Sequence, residues 1–389
     1  MAAEVNFVMV PISSGAPELM RRILDEFESI SRIKVNVRLI SWLEQRAVMV
    51  DTAVHGRGAD VFLMAVPQTS DLIGMNALRP FTTAEVAELG GAESFLSASL
   101  RSGMRPGENQ IWAIPWLVDT RVLFYWRDLL ESAGLDGATA FQTCRQFDES
   151  FDALKQHGFD VPFAPPFENY MVLHTISSWI WENGGDLFSS DGKEVTFHYP
   201  DALAGVRAYM EMILRMPPGV MSSEQQDHFH ARVNPVTING GWMGVDADPR
   251  LACVVPPGGA YLGGTNLVVF KHTRQVGPAL ELVRFLCRPE TQMRVAFAHG
   301  FLPSRMSVLT DPEQQQHPIR GDQIKAALAG RTYPCVPMIG LVEDRLSQEL
   351  ARLQREIHAS GLPADQAVRN VLVPLGKRLN LALGSINED

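Results

Sequence analysis

The stretch VNFVMVPISSGAPELMRRILDEFESISRIKVNVRLI (residues 5–40) decides the class of fold. Its apolar residues stand close together or alternate at both ends, and they recur every three or four positions in the middle. The small and polar residues Ser13 to Pro17 mark the start of a helix. This pattern predicts a strand over 6–10, a helix over 18–30 and a strand over 33–40.

The alternation of strand and helix continues after this stretch. A helix is predicted over 42–54, a buried strand over 60–65 and another helix from Pro67. Strands that alternate with helices pair in parallel through right-handed crossovers, so this part of the chain is predicted to form an α/β lobe. Ligands of such sheets bind beyond the carboxyl ends of the strands, where the loops around Ser13, Trp42 and Gln68 lie.

A second α/β region is expected over 141–255, with three helices. They are predicted over 147–157, 170–183 and 200–215. Before this region, the stretch 110–126 is predicted to be a pair of strands interrupted at Pro115, because proline cannot donate a hydrogen bond to a neighbouring strand.

The segment 263–305 predicts a glycine turn, a strand over 267–270 and two short helices that are separated by Pro289. Adjacent glycines let the backbone approach a ligand or another strand closely. The short polar residues Thr265 and Asn266 follow directly. The chain after Arg305 is mostly helical, with apolar stripes over 341–357 and 368–379.

Length and charge exclude several classes of protein. A chain of 389 residues predicts two or three domains, and it contains no apolar run of the roughly 18 residues needed to cross a bilayer. The net charge is −10, with 34 basic and 44 acidic residues, and the basic residues are scattered along the chain. Nucleic acid is therefore excluded as a partner, because neutralising phosphates requires clustered Lys and Arg.

Signatures of catalysis and of metal or cofactor binding are absent from the sequence. There is no nucleophile elbow, zinc-binding helix or phosphate loop, so no cofactor is predicted. His228 and His230 lack a third ligand, and no metal site is predicted. The four cysteines, Cys144, Cys253, Cys287 and Cys335, form no C-x-x-C pair, and we interpret them as isolated thiols, although four cysteines allow three pairings.

Tryptophans in or beside loops are more informative. Five of them have this position: Trp42, Trp116, Trp179, Trp181 and Trp242. Flat aromatic faces stack on the C–H faces of sugar rings, while amides and carboxylates bind the hydroxyl groups. For most of these tryptophans a place in the core is the better interpretation. Trp242 is the exception, because it follows two glycines and is expected to be exposed.

An ordered set of short motifs extends this reading over nearly the whole chain. They are Ala59–Phe62, Ala77–Phe81, Ile114–Trp116, Asp119–Arg121 with Tyr125, Asp128–Leu130, Ala133–Leu135, Asn183–Phe188, Gly240–Trp242, Gly263–Asn266 and Leu302–Arg305. In this order the motifs resemble the extracytoplasmic solute-binding proteins of ABC importers, in the sugar-binding class that includes maltose-binding proteins.

The resemblance implies a two-lobe α/β fold of the type II periplasmic binding proteins. Each lobe is expected to be a mostly parallel sheet flanked by helices, with hinge strands between the lobes. The N-terminal lobe is expected to comprise 1–118 and 262–307, and the C-terminal lobe 119–261 and 308–389. The lobes would close on a ligand in the cleft between them, with chain crossings near 118–122, near Tyr261 and after Arg305.

The resemblance also implies which residues bind the ligand. They are Ser13, Trp42, Gln68, Trp116, Asp119, Trp181, Trp242, Gly264, Thr265, Asn266 and Arg305. Two departures from the family pattern occur. The helix start at 140–149 differs, and Tyr125-Trp126 replaces the usual Tyr-Asn of the interlobe strand.

The function implied is a non-enzymatic, monomeric receptor that captures a mono- to oligosaccharide and delivers it to the transmembrane subunits of an ABC permease. Three alternatives stay open at this stage. One is a sugar-cleaving enzyme that uses two of the acids Glu44, Asp119, Glu168 and Glu182. Another is a ligand-sensing domain for a signalling partner. The third is a binding protein for a polyol, a polyamine or a phosphate ester.

The N-terminus leaves the location open. Met-Ala-Ala-Glu is followed at once by a strand-like run, so the sequence shows no charged region, apolar region or cleavage site of a signal peptide. On the sequence alone, the protein is either cytoplasmic or has lost a leader. The resemblance implies a periplasmic or extracellular location, with a lipoprotein anchor as a further alternative.

Overall fold

The structure is a computed structural model that describes residues 3–217, 219–244, 248–336 and 338–387. Within these residues the strands are β1 (Glu4–Met9), β2 (Lys34–Leu39), β3 (Val61–Ala65), β4 (Ile114–Trp126), β5 (Phe163–Ala164), β6 (Val236–Gly240), β7 (Leu251–Val254), β8 (Leu262–Val269) and β9 (Leu302–Pro303).

Helices make up most of the remaining regular structure. The helices of the first 230 residues are α1 (Ala16–Ser31), α2 (Trp42–His55), α3 (Val66–Gly74), α4 (Thr83–Glu88), α5 (Ser97–Arg101), α6 (Arg127–Ser132), α7 (Cys144–Gln156), α8 (Asn169–Glu182), α9 (Pro200–Leu214) and α10 (Glu224–His230). The later helices are α11 (Val276–Leu286), α12 (Pro289–Ala298), α13 (Met306–Leu309), α14 (Pro312–Gln316), α15 (Arg320–Ala329), α16 (Ile339–Ser360) and α17 (Ala364–Asn387). Short 3₁₀ helices occur at Ala92–Ser94 and Gly241–Gly244.

Local signals explain where the first elements begin and end. The side chain of Ser41 accepts a hydrogen bond from the backbone N–H of Glu44, whose own side chain accepts from the backbone of Ser41, and this capping box starts α2. Gly56, in the left-handed region, ends the same helix. In α1 the apolar face is buried in the core. The predicted order of strand and helix over 6–65 is confirmed, with bounds that differ by one or two residues.

The internal contacts divide the chain into two compact units. Unit 1 consists of Met1–Asp119, Leu262–Gln315 and Thr332–Gly340. Unit 2 consists of Thr120–Tyr261, Gln316–Arg331 and Leu341–Asp389. This division places both 308–315 and 332–340 in unit 1, whereas the sequence assigned everything after 307 to the second lobe.

The sheet of unit 1 has a parallel part and an antiparallel part. β1 pairs in parallel with β2 and with β3, as the alternation of strand and helix predicts. β8 then pairs with β3 in the antiparallel direction, and β9 pairs in the same way with the first half of β4. Helices cover both faces, because side chains from β3 and β8 alternate between two separate apolar cores.

The sheet of unit 2 is mostly antiparallel. The second half of β4 pairs in the antiparallel direction with both β6 and β7, and β5 with β6 is the parallel pair. The expectation of a mostly parallel sheet in each lobe is therefore wrong for this unit. Helices α6 to α10 lie between β4 and β6 along the chain, yet β6 and β7 both run opposite to β4, so an alternation of strand and helix does not by itself make neighbouring strands parallel.

Pro115 does not interrupt its strand. The stretch 110–126 contains one strand of 13 buried residues, β4, instead of the predicted pair of strands. Pro115 is the second residue of β4, and a position close to the start of a strand tolerates the missing N–H. The long strand carries residues of both units, since the division falls after Asp119.

The cysteines are free thiols, as predicted. Cys253, Cys287 and Cys335 are buried, and Cys144 is partly buried. Burial raises the pKa of Cys144 and Cys287 to about 12 and that of Cys335 to about 11, so these thiols stay protonated at neutral pH. None of the described helices is both long enough and apolar enough to span a bilayer.

Candidate functional site

The turn that follows β6 presents an aromatic side chain at the surface of unit 2. Trp242 lies in the 3₁₀ helix Gly241–Gly244, and 37% of its surface is exposed. Its indole ring folds back over Gly240, where any Cβ atom would overlap with the ring. Glycine at position 240 is therefore required for this placement of the indole.

A buried guanidinium group lies against the same indole. Arg121 is directly opposite Gly240 in the pairing of β4 with β6, and 3% of its surface is exposed. Its guanidinium carbon lies 5.0 Å from the centre of the Trp242 ring and 6.0 Å from that of Tyr261. Its backbone N–H also donates to the carbonyl of Tyr261 at 3.1 Å. Cation–π contacts of this kind are strengthened by burial.

Tyr261 connects Arg121 to a histidine of α8. The imidazole of His174 stacks on the Tyr261 ring with 3.7 Å between centres and 15° between planes. The Nε2 atom of His174 donates to Oε1 of Glu343, on α16, at 3.1 Å. Burial, and then the positive charge of Arg121, hold the pKa of His174 well below its usual value, so the imidazole is neutral at pH 7.

Tyr170 and Gln323 complete this part of unit 2. Tyr170 lies one turn before His174 on α8, meets its imidazole edge to face at 5.8 Å, and is 46% exposed. Gln323, on α15, donates from Nε2 to the carbonyl of Gly241 at 3.2 Å and so holds the turn of Trp242 in place. We use the name aromatic cluster for Arg121, Tyr170, His174, Trp242, Tyr261 and Glu343. Two of its aromatic rings, those of Tyr170 and Trp242, are exposed, and the side chains that connect them, Arg121, Tyr261 and His174, are buried.

Trp181 lies elsewhere in unit 2 and is covered. Its surface is 6% exposed, and its indole N–H donates to Oδ1 of Asp186 at 3.1 Å. The guanidinium of Arg331 lies 4.9 Å from the ring centre and pairs with the same carboxylate at 2.5 Å. Because Arg331 covers its ring, Trp181 offers a ligand much less surface than the sequence suggested.

The structure places Trp116 in the core of unit 1. It is 1% exposed, and its indole N–H donates to the carbonyl of Leu286 at 2.8 Å. Buried on every side, the ring has no face for a ligand, and we remove Trp116 from the candidate site. Trp116 directly follows Pro115, which we interpreted from the sequence as a break between two strands. We therefore expected the tryptophan to lie in or beside a loop.

Gly264 lies inside β8, so the glycine turn predicted at 263–264 is wrong, and the glycine has a structural explanation instead. At a φ of +131°, a Cβ atom here would overlap with the carbonyl oxygen of Leu117 on β4. We expected this glycine to allow close approach either to a ligand or to another strand. The structure shows close approach to the strand β4. Thr265 and Asn266 are 4% and 1% exposed, and the amide of Asn266 donates to Thr69 and Ser102. We remove all three residues, 264–266, from the set of ligand contacts.

Arg305 also has a structural role. Its guanidinium donates to the carbonyl of Leu89 at 2.7 Å and to the hydroxyl of Ser94 at 2.8 Å, and it lies over the ring of Phe95. Burial lowers the pKa of Arg305, a cost that these contacts offset. The arginine fixes a loop of unit 1, and we no longer count it as a ligand anchor.

The remaining candidates of unit 1 keep some exposure, except for Asp119. Trp42 is 52% exposed at the start of α2, and Gln68 is partly buried on α3. Ser13 shares a hydrogen bond of 2.9 Å with Nδ1 of His299. Asp119 is 8% exposed on β4. Ser13, Trp42 and Gln68 follow β1, β2 and β3, so they lie at one edge of the parallel part of the sheet.

Sequence reasoning missed most of the aromatic cluster. Tyr170 and His174 share a face of α8 at a spacing of four, which is a usable signal. Arg121 was noted only as part of a family motif. Tyr261 and Glu343 carry no local signal, since 169 positions separate Glu343 from the histidine it binds. Among the described residues, no three His, Cys, Asp or Glu side chains are grouped so that they could hold a metal ion.

Comparison with known proteins identifies the family. The sequence profile of the bacterial extracellular solute-binding proteins matches residues 22–321. The chain belongs to this family. The expected recognition is thereby confirmed, and the family is an extracellular one.

Individual relatives agree with this assignment. The diacetylchitobiose-binding protein DasA of Streptomyces coelicolor is 23% identical over 377 residues, which cover 88% of this chain and 83% of that protein. The sugar-binding protein MalE of Xanthomonas citri has a TM-score of 0.83 at 19% identity, with 98% of each chain covered. The GacH receptor of Streptomyces glaucescens, solved unliganded and with acarbose, has a TM-score of 0.77 at 17% identity, with 100% and 99% covered. The solute-binding protein therefore has the two-lobe fold of the type II periplasmic binding proteins, as expected.

Proposed function

We propose that this solute-binding protein is a non-enzymatic receptor that captures a carbohydrate, a mono- to oligosaccharide, and delivers it to the transmembrane subunits of an ABC permease. Its relatives by sequence and by fold are named as binding proteins for sugars: diacetylchitobiose for DasA, and acarbose in the complexes of GacH. Units 1 and 2 are the two lobes in this proposal. Closure of the lobes on the ligand stays a prediction.

One observation carries the carbohydrate assignment: the indole of Trp242 is 37% exposed on a buried, ordered base. Sugar rings bury their C–H faces against flat aromatic rings, and a ring that is already fixed loses little conformational entropy on binding. Tyr170, 46% exposed, is a second aromatic surface in the same cluster. We propose Trp242 and Tyr170 as ligand contacts in unit 2, and Ser13, Trp42 and Gln68 as ligand contacts in unit 1.

Isothermal calorimetry on the purified protein tests the ligand class. The probes are N,N′-diacetylchitobiose, maltose and maltotriose, and the comparison set is sorbitol, spermidine and glucose 6-phosphate. We expect at least one neutral sugar to bind and the comparison set to give no heat. Binding of sorbitol, spermidine or the phosphate ester with no response to any sugar would overturn the carbohydrate assignment.

A matched pair of variants tests the site. Trp242→Ala is expected to weaken sugar binding at least tenfold, because it removes the exposed stacking surface. Tyr199→Ala is the control, since Tyr199 is a 44% exposed aromatic residue of unit 2 outside the aromatic cluster. Equal effects of the two substitutions would show that Trp242 is not a ligand contact.

The non-enzymatic role is tested separately. The sugar that binds is incubated with the protein, and the mixture is analysed by chromatography for cleavage products. We expect the sugar to be recovered intact. Product formation that is lost when Glu168 or Asp119 is replaced by its amide would instead support the sugar-cleaving alternative.

A further inference from the structure

We infer that Arg121 is a positioning residue for the ligand-binding indole, and that it acts together with the empty face of Gly240 to fix the orientation of Trp242. The inference deepens the proposed function, and its second test rests on that function. Arg121 makes no direct contact with the ligand in this proposal. Its effect passes through Trp242.

The first argument is the register of the two strands. Arg121 and Gly240 are directly paired on β4 and β6, so the arginine side chain and the missing side chain of the glycine are cross-strand neighbours. The Trp242 ring occupies the space above Gly240, and its centre lies 5.0 Å from the guanidinium carbon. The indole of Trp242 therefore packs against two surfaces, the backbone of Gly240 and the planar guanidinium of Arg121. We call these two surfaces the seat of the indole.

The second argument is the burial of Arg121. A guanidinium group at 3% exposure has lost most of its hydration, and a cation–π contact with an aromatic face is stronger at such a desolvated site than at the surface. Trp242 and Tyr261 both lie within 6.0 Å of this group. Rotating the indole away would break this cation–π contact, and the observed rotamer is favoured for that reason.

The third argument is that the base of the seat is itself fixed. Tyr261 is 1% exposed and stacks on His174, which is bound to Glu343. Gln323 holds the carbonyl of Gly241, the residue before the tryptophan. The backbone of Trp242 lies in a short 3₁₀ helix that begins and ends with glycine. Contact with the buried Arg121 therefore restrains its exposed ring.

The first test needs no ligand. The protein is labelled with 5-fluorotryptophan, and the resonance of Trp242 is assigned by its loss in Trp242→Phe. We expect Arg121→Met to shift this resonance and to increase its H₂O/D₂O isotope shift, because the ring becomes more accessible to water. Arg121→Lys, which keeps the charge but not the planar group, is expected to give an intermediate shift. An unchanged Trp242 resonance in folded Arg121→Met would overturn the inference.

Gly240→Ala provides an independent variant if Arg121→Met does not fold. Its added Cβ overlaps with the indole ring and no φ strain arises, so the ring must leave its seat while Arg121 is kept. Gly384→Ala is the control, since a Cβ at that helical position meets no atom of the described residues within 4 Å. The Trp242 resonance is expected to shift in the first variant only. If the Trp242 resonance has the same position in Gly240→Ala and Gly384→Ala, the indole does not pack against Gly240 in solution and the inference is contradicted.

The second test is a double-mutant cycle on sugar affinity. Arg121→Met alone is expected to weaken binding of the best sugar from the calorimetric screen about tenfold, and to have less than a twofold effect in the Trp242→Ala background. A similar loss in both backgrounds would show that Arg121 acts by another route and would overturn the inference. If the wild-type protein binds none of the sugars, the proposed function fails, and the fluorine spectra still decide the role of Arg121.

Discussion

The family resemblance implied that Trp116 and Trp242 both bind the ligand, but the two side chains have opposite exposure. Trp116, in unit 1, is 1% exposed with its N–H bound to a backbone carbonyl, whereas Trp242, in unit 2, is 37% exposed above a buried arginine. Both follow a residue of a type that sequence reasoning takes as a break in regular structure, Pro115 and Gly241, but Pro115 lies inside β4. Pro115 is accommodated near the start of β4, whereas Gly241 begins a 3₁₀ helix. A proline or glycine in the sequence therefore does not by itself predict a loop.

The largest effect is expected for Trp116. Trp116→Ala should lower the free energy of unfolding by about 3–5 kcal/mol, because it leaves a large cavity and an unpaired carbonyl in the core of unit 1. Urea denaturation followed by circular dichroism measures the loss. Trp116→Phe, which keeps most of the volume, is expected to lose less than half as much. A stability close to that of the wild type for Trp116→Ala would mean that this tryptophan is not in the core.

Gly264 tests whether this glycine of β8 has a structural role or serves the ligand. Gly264→Ala should lower the free energy of unfolding by about 2–3 kcal/mol, because the Cβ overlaps with the carbonyl oxygen of Leu117 and the backbone φ is +131°. Gly277→Ala is the control, since a Cβ there meets no atom of the described residues within 4 Å. Thermal denaturation of both variants measures the difference. If Gly264→Ala is as stable as the control and only its ligand binding is weakened, the glycine serves the ligand after all.

Trp242 is expected to behave in the opposite way to Trp116. Trp242→Ala should change the free energy of unfolding by less than about 1 kcal/mol and weaken sugar binding by about 2 kcal/mol, or roughly 30-fold. Calorimetry and thermal denaturation on the same samples separate the two quantities. If Trp242→Ala lowers the free energy of unfolding as much as Trp116→Ala does, Trp242 contributes to the core as Trp116 does, and the prediction is wrong.

The smallest effect is a dependence on pH. Because the folded-state pKa of His174 lies well below the ordinary value of 6.5, the unfolded chain binds a proton that the folded protein does not. The stability that depends on neutral His174 is complete above pH 6.5 and decreases as the pH falls below it, by at most about 1.4 kcal/mol per pH unit. The groups around the imidazole are Arg121, Tyr170, Tyr261 and Glu343.

Urea denaturation between pH 7 and pH 5 measures this dependence. His174→Gln should flatten it. His299 of unit 1 has a pKa lowered by partial burial, so His299→Gln should flatten the dependence less. A steeper dependence in His174→Gln than in the wild type would show that the histidine is protonated in the folded protein.

Several local features of the fold could be predicted from the sequence. Helix and strand over 6–65 follow from the spacing of apolar residues, and the split of α11 from α12 follows from Pro289. The direction of β6 and β7 in unit 2 could not be predicted, because strand direction depends on the connections between strands and not on residue spacing.

The candidate site was less predictable than the fold. The exposure of Trp242 was correctly expected from its two preceding glycines. The burial of Asn266 and Arg305 was not expected, because polar residues were assumed to serve the ligand and instead bind loop and helix groups of unit 1.

The sequence by itself determined the order of the elements in the first lobe and the family, because these follow from local spacing and from an ordered set of short motifs, whereas the free state of the cysteines was favoured by the sequence and decided by the structure. The tertiary structure alone decided which aromatic rings are exposed and what lies beneath them. Arg121 meets Trp242 only through strand pairing, and His174 meets Glu343 only through the packing of α8 and α16. Contacts between residues more than a hundred positions apart leave no trace in local spacing.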